Sequence, residues 1–101
     1  MTKYIRPCQY LSTSLDLNDE EYVVYTIGSI RSKEDKWPNF LRLRKDERIR
    51  KLGIVELERI LTSLVRRNHL HTCNDVYFLS SLIEKSIRRN SRLWRDLLDD
   101  A

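Results

Sequence analysis

Glycine and proline are scarce, with two of each in 101 residues. A β-sandwich or barrel needs many tight connections, and so few turn-formers argue against one and in favour of helices. Gly28 and Gly53 stand alone, which excludes the glycine-clustered loops that cradle nucleotide phosphates. Two cysteines, Cys8 and Cys73, supply at most one bridge; no disulfide framework can be built from them, and a reducing intracellular compartment, cytoplasmic or nuclear, is expected. No stretch approaches the roughly 18 consecutive apolar residues of a membrane span, and Met1–Pro7 lacks the apolar core of a secretion signal. Internal repeats, low-complexity tracts and Gly/Ser/Pro linkers are also missing, so the chain reads as one domain over residues 1–101.

Charge, by contrast, is abundant. Nineteen Lys and Arg stand against fifteen Asp and Glu, a net +4, and charged residues make up 34% of the chain, above the roughly 25% of an ordinary domain. The excess lies in residues 38–71, with nine basic and four acidic side chains. Arginine outnumbers lysine thirteen to six, and guanidinium forks suit both phosphates and carboxylates.

Apolar periodicity places the elements. After Gly53, Ile54, Leu57, Ile60, Leu61, Leu64 and Val65 recur at helical spacing, which predicts an amphipathic helix over about 54–68. Asn74 or Asp75 offers an N-cap for a second helix over 75–89, with Val76, Leu79, Leu82, Ile83 and Ile87 on its inner side. Asn90-Ser91 would end that helix and cap a short last one, whose Leu93, Trp94, Leu97 and Leu98 make an apolar edge; Asp99 and Asp100 sit badly at its negative end. Towards the N-terminus, Asn18-Asp19-Glu20-Glu21 is a capping side chain followed by three carboxylates, which starts a helix from Asp19 to about Lys33. The β-branched and aromatic run Tyr22–Ile27 makes a hairpin with Phe40–Leu43 the rival. From Pro38 to Lys51 the apolar residues do not gather on one face, so this segment is expected to be exposed or a helix in need of a partner.

The fold class is therefore mainly α, a small single-domain bundle of four to five helices with a helical hairpin, 54–68 and 75–89, at its centre. Leu57, Ile60, Leu61, Leu64, Val65, Val76, Leu79, Leu82, Ile83 and Ile87 form the expected core. Such a core is small, so Trp94, Leu97 and Leu98 are read as an exposed partner interface, in a homodimer or a larger complex.

The constellation that carries chemistry is the basic run from Arg42 to Lys51, containing Arg42, Arg44, Lys45, Arg48, Arg50 and Lys51 against Asp46 and Glu47. Such a patch contacts phosphates and displaces counterions, whereas its bland alternative is a solvated helix with i±4 ion pairs. Arg59, Arg66 and Arg67 on one helix and Lys85, Arg88 and Arg89 on the next would assist. The two helices resemble a helix-turn-helix only superficially, because their link is too long and holds no glycine; in such a unit Tyr77, Ser81, Lys85 and Arg88 would face the bases. Tyr22, Tyr25, Trp37, Phe40 and Phe78 read as core rather than base-stacking platforms. His69, His71 and Cys73 alternate rather than pair, so no metal site and no cofactor is expected, and Cys8 and Cys73 read as small buried hydrophobes. Without a nucleophile elbow or a glycine-built oxyanion loop, no enzyme and no small-molecule substrate is expected. The expected function is a non-catalytic module binding nucleic acid, DNA or RNA, through Arg/Lys–phosphate contacts or within a nucleic-acid-associated complex. Its alternative is a protein-interaction adaptor or regulatory subunit, cellular or viral, docking an acidic partner.

Overall fold

The computed structural model describes residues 17–89, 91 and 93–99. Cys8, Asn90 and Asp100, each given a role by the sequence, lie outside them. In chain order the elements are α1 (Asp19–Glu34), α2 (Phe40–Leu43), α3 (Glu47–Leu52), α4 (Ile54–Arg66), β1 (Leu70–Cys73), β2 (Val76–Leu79), α5 (Ser81–Arg88) and α6 (Leu93–Asp99). The described residues are mainly helical with one small sheet.

The helix expected from Asp19 forms, and the Tyr22–Ile27 hairpin does not. Local chemistry decides this. Asn18 accepts from the Glu21 amide at 2.8 Å while the Glu21 carboxylate accepts from the Asn18 amide at 3.1 Å, a complete capping box. Val23, Val24, Ile27 and Ile30 are buried along α1, so the β-branched residues serve the core instead of a ladder. Gly28 permits a close approach: a Cβ there would meet Cδ1 and Cγ2 of Ile87 at 3.1 Å.

Residues 38–52 follow the second of the two expected alternatives, a helix in need of a partner, with Leu41, Lys45 and Arg50 left exposed. Two short helices, capped by Asn39 and Asp46, insert Leu43 and Ile49 fully into the core. The mixed spacing concealed this because each helix contributes a single buried anchor. Helix α4 matches its expected start and buries Leu57, Ile60, Leu61 and Leu64, although Ile54 at its first turn is exposed. It ends in a Schellman motif: Asn68 is left-handed (φ 67°), the His69 amide donates to Leu64 O and the Asn68 amide to Val65 O, both at 3.0 Å.

The largest correction concerns residues 70–80, where the expected helix over 75–89 gives way to an antiparallel hairpin. Leu70 pairs with Leu79, His71 with Phe78, Thr72 with Tyr77 and Cys73 with Val76. Asn74 and Asp75 form the two-residue turn, both left-handed (φ 52° and 65°), as the hairpin twist requires. Asn39 bridges to Val76 and the Tyr77 amide donates to Pro38 O at 2.9 Å, adding a third strand-like contact. Cys73 is exposed rather than buried. Helix α5 starts only at Ser81, with Ile83 inside and Leu82 turned to solvent, 66% exposed; Leu82 therefore leaves the expected core. Val65 and Ile87 only pack against that core from partly buried positions.

Trp94 and Leu98 are 4% and 2% exposed, so they are not a free partner interface. Leu97 is half-buried against the same core. Buried Ser86 ties α6 in place: its Oγ accepts from the Trp94 amide at 2.8 Å, and Tyr25 stacks on the Trp94 ring. The core thus closes within one chain, with α1 against β2 and α5, α4 against α3 and β1, and α6 against α5.

Candidate nucleic-acid interface

Helices α3 and α4 are joined by Gly53 alone, with φ 90° and ψ 162°. That left-handed backbone is open to glycine and strained for other residues, so Gly53 lets two helices change direction within one residue. The inner face of α4 is in the core, leaving Val55, Glu58, Arg59, Thr62 and Arg66 exposed. At 3.6 residues per turn, Val55, Glu58, Thr62 and Arg66 fall within an arc of about 80°. Beside them α4 and the hairpin enclose an open groove of about 480 Å³, lined by Glu58, Leu61, Thr62, Val65 and Arg66 on one side and Thr72 and Tyr77 on the other. Burial, helped by the charges of Asp75 and Glu58, pushes the Tyr77 hydroxyl above its ordinary pKa.

The twelve cations singled out in the sequence do not form one surface. Six are engaged inside the chain. Arg42 donates to Glu34 through Nε (3.0 Å) and Nη2 (2.5 Å); its hydrogen bond is the main cause that holds the Glu34 carboxyl below the usual range. Arg48 donates to Leu17 O at 2.7 Å and lies 4.4 Å over the Tyr22 ring. Arg67 joins Glu20 and the Leu98 carbonyl, Arg59 grips Glu56, Arg88 pairs with Glu84 and Lys51 with Glu47. The hydrogen bond from Arg59 is likewise the first cause of the lowered Glu56 pKa.

The other six, Arg44, Lys45, Arg50, Arg66, Lys85 and Arg89, have no ion pair among the described residues. Arg44, Lys45 and Arg50 flank or occupy α3. Lys85 and Arg89 belong to α5 and its end, while Tyr77 sits in β2; the reading surface expected from Tyr77, Ser81, Lys85 and Arg88 is therefore not one helix face. Lys33 and Lys36 were missed in the sequence. Lys33 shares with Arg42 and Lys45 a cleft of about 230 Å³ between α1 and the α2–α3 turn, and the charges of Lys36 and Lys45 both act on Glu34. Their signal in the sequence was only a pair of lysines at a helix end.

Among the described residues no group of His, Cys, Asp and Glu is arranged to hold a metal ion, and no helix is long and apolar enough to cross a membrane. No family model, curated protein or solved structure matches this chain.

Proposed function

We propose that this protein is a non-catalytic module that binds duplex DNA through a helix-turn-helix. The observation that carries the reading is the α3–Gly53–α4 unit with Arg44, Lys45 and Arg50 unpaired beside its first helix. In such units the second helix lies in the major groove while the first crosses the backbone, which puts these cations against phosphates. The element order supports the same reading. A helix, a strand-like bridge at Asn39, three helices (the short α2 and α3, then α4) and a hairpin follow one another, the order of a winged helix-turn-helix apart from the additional short helix α2. The one-residue turn is tighter than the usual three or four. Charge also favours it: most described carboxylates are already neutralised by arginine within the chain, whereas eight cations, the six above with Lys33 and Lys36, face solvent or a cleft without an ion pair.

Fluorescence anisotropy of labelled duplex DNA, single-stranded DNA and RNA across a salt series tests this. The expected result is a preference for duplex with affinity falling steeply as salt rises. Arg44→Glu with Lys45→Glu weakens binding and flattens the log–log salt slope by about two, roughly one for each phosphate left without its cation. Lack of binding to all three at low salt overturns the reading. It then favours the adaptor, for which Leu41, Leu82 and Leu93, all more than half exposed, are the available apolar contacts.

A further inference from the structure

We infer, resting on the DNA-binding reading, that Glu58 is a specificity-determining residue whose carboxylate accepts a hydrogen bond from the N4 amino group of a cytosine in the major groove. The carboxylates of the helix-turn-helix differ in their circumstances. Asp46 caps α3 and accepts from Tyr22 Oη at 2.9 Å and from the Ile49 amide at 3.1 Å. Glu47 pairs with Lys51, and Glu56 is held by Arg59. Glu58 has neither an ion pair nor a hydrogen bond among the described residues. It is exposed, in the second turn of α4, on the stripe that also carries Val55, Thr62 and Arg66.

A bare carboxylate on a face turned to DNA is repelled by phosphates, and only a donor on the DNA offsets that repulsion. The facing hairpin contains no lysine or arginine to pair with it, and across the shared groove Glu58 acts on Tyr77 only through its charge. The major groove offers two amino donors, cytosine N4 and adenine N6. Adenine presents N7, an acceptor, beside its amino group, and an ionised carboxylate can only accept. Cytosine presents its donor without that neighbour. Val55, 80% exposed and one turn earlier, offers an apolar surface of the kind that meets a thymine methyl.

Selection from a randomised duplex library followed by sequencing, run on the full chain as wild type, Glu58→Gln and Glu58→Ala, tests the assignment. The wild type is expected to prefer cytosine at one position by about five- to a hundredfold over other bases. Glu58→Gln moves the preference at that position to adenine, because an amide both donates to N7 and accepts from N6. Glu58→Ala loses the preference there while binding random duplex at least as tightly. A wild-type motif that Glu58→Gln leaves unchanged overturns the inference, as does salt-dependent duplex binding without any enriched motif; in both cases DNA binding itself stands. Failure of the wild type to bind duplex at low salt removes the DNA reading and the inference with it.

Discussion

Arg95, on the last helix, forks onto Glu21, in the first turn of the first: Nη2 lies 3.1 Å and Nε 3.3 Å from the two carboxylate oxygens. The Glu21 side chain is only 5% exposed and also completes the Asn18 capping box. One carboxylate thus starts α1 and fastens the first described helix to the last.

Removing the fork leaves a buried charge with two N–H donors fewer. Arg95→Ala is expected to lower stability by about 1.5–3 kcal/mol, the range for hydrogen bonds to charged groups. Arg88→Ala, which breaks the exposed Arg88–Glu84 pair, is expected to cost below about 0.5 kcal/mol. Urea denaturation of the two variants checks the contrast, and equal losses would contradict it.

Burial reverses two expectations from the sequence, for Leu82, expected in the core, is exposed and Trp94, expected on a partner interface, is buried. Trp94→Ala empties a core site against Tyr25 and is expected to cost about 3–5 kcal/mol. Leu82→Ser changes an exposed side chain and should stay within about 0.5 kcal/mol of wild type. Thermal unfolding of both variants is the check.

The hairpin turn contains a non-glycine residue at its second left-handed position, Asp75 (φ 65°). Glycine is preferred there because it has no Cβ to strain. Asp75→Gly is expected to stabilise the protein, and Asp75→Val to destabilise it by roughly 1–2 kcal/mol, the left-handed cost for an ordinary L-residue. Unfolding midpoints in urea decide the sign for each.

Tyr22 donates its hydroxyl to Asp46 and lies under Arg48. Burial first, then the hydrogen bond and negative charge of Asp46, raise its pKa above the ordinary 10.0. The folded state therefore holds the proton more tightly than the unfolded chain. Its contribution is complete below the unfolded pKa and is lost as pH rises through the folded one. Stability measured from neutral pH into the alkaline range should fall less steeply for Tyr22→Phe than for wild type. An unchanged alkaline slope would contradict the assignment.

Elements with local signals were legible before folding. The Asn18–Glu21 box and the apolar positions of 54–65 define α1 and the start of α4 from neighbours within one or two turns. Asn74-Asp75 was ambiguous because the same residue types cap helices and occupy left-handed turns. Val76, Leu79 and Ile83 also happen to fit a helical period. Pairing with Leu70–Cys73 and with the Pro38–Asn39 segment resolved it as a strand, and those partners lie outside any local window.

The candidate interface divides along the same line. The basic surplus around residues 42–51, the lone Gly53 and the solvent stripe of α4 are properties of the sequence. Which cations remain available is so only in part: Lys51, Arg59 and Arg88 pair within one turn of their own helices, whereas other guanidinium partners are set by contacts between distant segments. Arg48 reaches Leu17, Arg67 reaches Glu20 and Arg95 reaches Glu21, across 31, 47 and 74 residues. Charge content and helix-forming pattern belong to the chain by itself, because each depends on residue identity and near spacing. The pairing of Arg48, Arg67 and Arg95 with remote groups, and the burial of Trp94 and Leu98, came only with tertiary packing, which alone brings remote side chains within hydrogen-bonding distance.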